Sequence, residues 1–142
     1  MGKAYEQALI AFAADEVPIG CVIVFNDKII GRGFNQRNNQ KCATSHAEIL
    51  AIQKACKHMR DWRLEGCSLF VTVEPCPMCA GAIIQARIHT VVFATHNIKA
   101  GCAGSVLNIL NNPRFNHRVH VVSGVMEREC TLLMQQFFKM MR

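Results

Sequence analysis

Two short segments limit what this chain can fold into more than anything else in it: His46-Ala47-Glu48 and Pro75-Cys76-Pro77-Met78-Cys79, with Cys76 thirty positions after His46. Each stands where a loop or strand gives way to a helix. Ser45 can cap a helix running to about Arg60, and Pro77 is tolerated at the first position of a helix continuing through Arg87. One imidazole and two thiolates make a three-ligand zinc set, and a catalytic zinc keeps its fourth position for water, whereas a structural zinc is closed by four protein ligands. A fold that uses these residues together must therefore bring two helix starts to one point. Cys76 and Cys79 straddle the first turn of their helix, where unpaired N–H groups and the helix dipole favour the thiolate.

Zinc can lower the pKa of its water to ~7, but protons must still be moved during a reaction. Glu48, two residues after His46 and not itself a ligand, suits that task. It can take a proton from water, give it to a ring nitrogen and then protonate a leaving amine. Residues two apart on a helix point apart, so His46 and Glu48 converge only because they sit at its very start. Three other readings use the same residues. Ser45-x-x-Glu48 is a capping-box pattern, in which Glu48 merely satisfies a backbone N–H. Cys-x-x-Cys can be a redox pair. A non-catalytic zinc would be closed by a fourth ligand such as Cys67, His58, His89 or Cys102.

Around these segments the chain reads as an alternation of short elements. Residues 3 to 14 have helical composition and end at Asp15, Glu16 and Pro18. Ile19 to Phe25 and Lys28 to Phe34 are strands joined by the turn signal Asn26-Asp27, a hairpin. In the helix after Ser45, Ile49, Leu50, Ile52 and Ala55 form the apolar side. Leu69 to Val73, Thr90 to Thr95 and Val119 to Val122 read as strands, a short helix is expected near Val106 to Leu110, and Glu127 to Met141 as a terminal amphipathic helix. Five strands and about five helices in alternation imply an α/β sandwich with a sheet covered by helices.

At 142 residues and 51% apolar composition the chain can bury one full core, and a single domain over residues 1–142 is expected. No apolar run approaches the ~18 residues needed to cross a bilayer, and Met1 to Glu6 lacks the layout of a secretory signal, so a cytoplasmic protein with no membrane partner is expected. The eight cysteines are then read as reduced thiols, with Cys21, Cys42, Cys56, Cys67, Cys102 and Cys130 mostly small buried hydrophobes. The net charge is +6, and after residue 45 eleven basic residues face six acidic ones, which favours a polyanionic partner.

His-x-Glu followed by Pro-Cys-x-x-Cys is the known pattern of zinc-dependent base deaminases. The likeness extends from about Glu16 to Lys139, through Glu16-Val17-Pro18-Ile19-Gly20, Gly33-Phe34-Asn35, Val73-Glu74, Ala80-Gly81-Ala82, Phe115-Asn116-His117-Arg118-Val119 and Phe137-Phe138. On these residues the chain resembles the bacterial tRNA-specific adenosine deaminases. The resemblance implies a cytidine deaminase-like three-layer α/β/α sandwich with a central five-stranded mixed sheet. It also implies one zinc ion per subunit, a homodimer, and conversion of adenosine to inosine at the wobble position of a tRNA anticodon stem-loop. It assigns His46, Cys76 and Cys79 to the metal and Glu48 to proton transfer. Asn35, Ala47 and Asn97 are expected against the substrate, and Lys99, Arg118, Phe138 and Lys139 against RNA, with Arg114 and Arg142 further candidates by position. A deaminase of a free base or nucleoside, such as guanine or cytidine, is the nearest rival on the same fold. Two departures stand out. Asn97 replaces an Asp found in many relatives, which is expected to relax selection for RNA over DNA. The chain also ends soon after Phe138, where relatives often continue with basic residues, so a smaller RNA footprint is expected.

Overall fold

A computed structural model describes residues 1–142. Helix α1 spans Gly2–Ala13, followed by strands β1 (Gly20–Phe25) and β2 (Lys28–Phe34). Helix α2 (Ala47–Met59), strand β3 (Ser68–Val73), helix α3 (Pro77–Gln85) and strand β4 (Thr90–Thr95) come next, and strand β5 (His120–Ser123) and helix α4 (Glu127–Met140) complete the order. The five strands form one mixed sheet in the order β2-β1-β3-β4-β5. Strand β1 is antiparallel to both β2 and β3, while β3, β4 and β5 run parallel.

The hairpin forms as read from its turn. Asn26 and Asp27 both adopt positive φ, 49° and 61°, the geometry of a tight turn whose twist matches the flanking strands and which Asn and Asp tolerate well. Alternation along the strands then divides the apolar residues between two faces. Cys21, Ile23, Leu69, Val71, Val91 and Phe93 pack with Ala47, Ala51, Ala80 and Ile83 of α2 and α3 in one core. On the other face Thr72 accepts the Gly20 N–H at 3.1 Å. There α1 and α4 meet through Phe12 and Phe137, whose ring centroids lie 6.0 Å apart. The result is the α/β/α layering expected, with α2 and α3 covering one face and α1 and α4 the other.

Two expectations are corrected. The face of α2 that meets the sheet is the stripe Ala47, Ala51 and Ala55, all buried; of the expected side Ala55 belongs to the core and Ile52 packs against it, whereas Ile49 and Leu50 are only partly covered and stand outside it. Gly31 and Gly33 on β2 are the cause, because a Cβ at either would collide with the Ala51 or Ala47 carbonyl oxygen. With no side chain between them, helix and strand approach until alanine fills the gap, and the larger residues are displaced sideways.

The segment Val106 to Leu110 is not helical. Its backbone turns on itself instead: the N–H groups of Val106 and Leu107 donate to the Gly101 carbonyl, Ile109 donates to Cys102, and Ala103 bridges Asn108. There are accordingly four helices, not five. No helix is long and apolar enough to cross a membrane.

Candidate metal centre

The two helix starts converge as the sequence required. His46 is the residue preceding the first turn of α2 and Cys76 occupies the same position on α3, both with extended backbone angles, and Pro77 opens α3. His46 Nδ1 lies 3.6 Å from Cys76 Sγ and 3.5 Å from Cys79 Sγ. Zinc bonds of about 2.0–2.1 Å to nitrogen and about 2.3 Å to sulfur at a tetrahedral angle span about 3.6 Å between the two donors. At these nitrogen–sulfur separations, and with all three donor atoms within 4.8 Å of one another, the residues present fit zinc. His46, Cys76 and Cys79 form the one cluster of His, Cys, Asp or Glu able to hold a metal, and no fourth such residue belongs to it. The suggested closing ligands lie elsewhere: His58 and His89 are exposed, Cys67 is buried just ahead of β3, and the Cys102 thiol donates to the Ala100 carbonyl at 3.5 Å.

The electrostatics favour an anionic sulfur facing the imidazole. Hydrogen bonding from the Cys79 thiol, aided by His46 and opposed by burial, lowers the Cys76 thiol to about 4. The same hydrogen bond, followed by burial, pushes Cys79 up. The hydrogen bond to Cys76 holds His46 above its ordinary value against the opposing effect of burial. All eight cysteines are unpaired, so Cys76 and Cys79 do not form a disulfide.

Glu48 is 4% exposed. Burial raises its carboxyl to about 7, partly offset by its own backbone N–H. The capping-box reading fails on two observations. The Ser45 N–H that Glu48 would need donates to the Cys42 carbonyl at 3.2 Å, and the residue that precedes α2 is His46, with no side chain capping the helix. Glu48 thus does not reach back to Ser45, and it lines the same cleft as His46 and Cys76.

That cleft has a volume of about 110 Å³, and Asn35, Ala47 and Asn97 line it together with His46, Glu48 and Cys76. Beside it, and sharing Val17, Ile19 and Asn97, runs a groove of about 770 Å³ whose walls include Lys99, Phe138, Lys139 and Arg142. Phe138 is 47% exposed there while Phe137 is buried. Arg114 and Arg118 do not join the groove; both are exposed in the stretch before β5.

Two buried carboxylates were given no role from the sequence. Glu74 is 2% exposed and gathers the loop that follows β4: it accepts N–H groups from Asn97 at 3.1 Å, Ala103 at 2.9 Å and Ser105 at 3.1 Å, and the Ser105 hydroxyl. Burial acts to raise its pKa, but these donors outweigh it and hold the carboxyl below its ordinary value. Glu16 is 1% exposed and ties the turn after α1 to the loop after β2. Each stands at the end of an element just before a proline step, where it reads as an ordinary terminator. A lone acid beside an apolar run was the available signal.

A family model described as MafB19-like deaminase matches residues 1–142. The tRNA-specific adenosine deaminase of Bacillus subtilis is 47% identical over 142 residues, all of this chain and 88% of that protein. A solved structure from work on A-to-I editing by tRNA:A34 deaminases at the wobble position of transfer RNA superposes with a TM-score of 0.90 at 38% identity, over 94% of this chain and 96% of its own. A guanine deaminase from Nitrosomonas europaea shares the fold at a TM-score of 0.82 and 23% identity, over 96% of this chain and 81% of its own.

Proposed function

The chain belongs to the MafB19-like deaminases and, among them, to the tRNA-specific adenosine deaminases, and we propose from that membership that it converts adenosine to inosine at the wobble position of a tRNA anticodon. The overall reaction is adenosine plus water giving inosine plus ammonia. One observation carries the reading: the tRNA-specific adenosine deaminase of Bacillus subtilis aligns with the whole of this chain, and such an activity needs what the cleft supplies, a zinc-fitting His46, Cys76 and Cys79 beside a buried acid.

When bound by these three residues, one zinc per subunit supplies water activated for attack at neutral pH. Glu48 does the rest of the proton work. Its carboxylate accepts a proton from the water and donates it to the adjacent ring nitrogen as the amine-bearing carbon becomes tetrahedral; it then takes the proton left on the added oxygen, which becomes the keto group, and gives it to the amine as it leaves as ammonia. A carboxyl raised to about 7 by burial is suited to hold and release that proton near neutrality. Asn35, Ala47 and Asn97 hold the target nucleoside, which must be splayed out of the loop because its reacting carbon is unreachable within a stack.

Lys99, Lys139 and Arg142 then face the flanking phosphates, and Phe138 offers a ring to a neighbouring base, while Arg118 acts from outside the groove. Loss of the family's acidic charge at residue 97 relaxes selection for RNA over DNA. The chain works as one domain, in a homodimer, in the cytoplasm. The test is sequencing of inosine sites in an anticodon stem-loop treated with the purified protein. Inosine at the wobble position, with free adenosine, cytidine and guanine left untouched, is expected. Activity on monomers alone would assign the chain to the free-base deaminases whose fold it shares.

A further inference from the structure

Glu16 lies in a segment to which zinc chemistry gives no task, yet both of its carboxylate oxygens are engaged. Oε1 accepts the backbone N–H of Asn39 at 2.6 Å, and Oε2 accepts the side-chain amide of Asn35 at 3.5 Å. The same Asn35 nitrogen donates to the Val17 carbonyl at 3.3 Å. A carbonyl only accepts, so the amide has one permitted orientation, with its nitrogen toward Val17 and Glu16 and its oxygen away from them. Asn35 lines the cleft, no group of the chain donates to its Oδ1, and no fully buried side-chain oxygen lacks a partner, which places Oδ1 open to the cleft.

We infer that Glu16 is a positioning residue that locks Asn35 so that the cleft wall offers the substrate an acceptor, and that the group this acceptor selects is the 2′-hydroxyl of the target ribose. The inference rests on the reading that the substrate is an adenosine within RNA. In such a nucleotide the 3′ and 5′ oxygens are esterified, the ring nitrogens of adenine accept, and the 6-amino group is the leaving group held near Glu48. The 2′-hydroxyl is the one remaining donor, and it is also what distinguishes RNA from DNA. Asn97 has the opposite polarity. Its Oδ1 already accepts the N–H groups of Lys99 at 3.3 Å and Ala100 at 3.1 Å, so what it offers the cleft is its Nδ2 donor. Discrimination for ribose therefore falls to Asn35.

The experiment compares anticodon stem-loops that differ only in the sugar of the target adenosine, carrying 2′-hydroxyl, 2′-fluoro or 2′-deoxy, with the zinc-loaded wild-type protein. Fluorine resembles a hydroxyl in placement but donates nothing. The expected result is a kcat/KM lower by roughly 10- to 100-fold for both the fluoro and the deoxy substrates, the effect of one unmet hydrogen bond in a shielded site. A fluoro substrate processed as well as the hydroxyl substrate overturns the acceptor assignment. In Glu16→Gln the added amide donor opposes the Asn35 nitrogen, and the ratio of hydroxyl to deoxy rates is expected to fall by about tenfold with zinc content unchanged. A folded, zinc-bearing Glu16→Gln protein with an unchanged ratio overturns the role of Glu16. If that variant does not fold, the sugar series on wild type still decides the acceptor. Stem-loops left unmodified whatever the sugar, while free bases are deaminated, overturn the substrate reading itself and the inference with it.

Discussion

Cys42 and Cys76 are the two thiols whose surroundings favour the anion. Cys42 is exposed, and hydrogen bonds from Thr44 and Ser45 lower it to about 7. Cys21 is pushed well up by burial, and burial likewise raises Cys130 to about 11. Reaction with an alkylating agent requires the thiolate, so the rate at Cys42 should rise as the pH passes through about 7, below the ~8.5 of a free thiol. In the zinc-loaded protein Cys42 is expected to be labelled first, with Cys76 and Cys79 protected. After chelation, half-buried Cys76, lowered to about 4, should become the second reactive site. Mass spectrometry of iodoacetamide-treated protein, with and without chelator, reads both. Prompt labelling of Cys76 in the zinc-loaded protein would contradict its assignment as a ligand.

The placement of His46 and Glu48 depends on how closely α2 lies against the hairpin. A Cβ at Gly33 would strike the carbonyl oxygen of Ala47, the residue between them. Gly33→Ala is therefore expected to cost about 1–3 kcal/mol through overpacking and, because it displaces the start of α2, to weaken zinc binding as well. Gly2→Ala, where a Cβ meets nothing within 4 Å, serves as the control. Thermal unfolding together with zinc titration distinguishes a local shift from general loss of stability. The strands and the hairpin were legible because β-branched runs and Asn26-Asp27 are local signals. The alanine face of α2 was not, since it depends on glycines in a different strand. The loop after β4 was misread as partly helical for a related reason: Ala103 and Ser105 give their N–H groups to Glu74, about thirty residues earlier, and no local pattern reveals such a partner.

Taken across the whole chain, the arrangement separates two tasks. The sheet and its helices fix a small zinc-fitting cleft at the joint starts of α2 and α3, and the basic groove beside α4 leads away from it. The ligands and the acid were legible because His-x-Glu and Pro-Cys-x-x-Cys are compact and rarely coincide by chance. Lys99, Phe138 and Lys139 were placed together by the fold, whereas Arg118 was not, because a charge in sequence carries no information about which face it will occupy. Everything proposed for this molecule requires that metal retention and proton transfer belong to different residues. Glu48→Ala, assayed at once for bound zinc and for inosine yield on an anticodon stem-loop, tests that directly. One zinc per chain should remain while the rate falls by at least ~100-fold, as expected on removing a proton-transfer group that is not a ligand. Full activity, or zinc lost along with activity, would show that Glu48 does not carry the proton as a separate group.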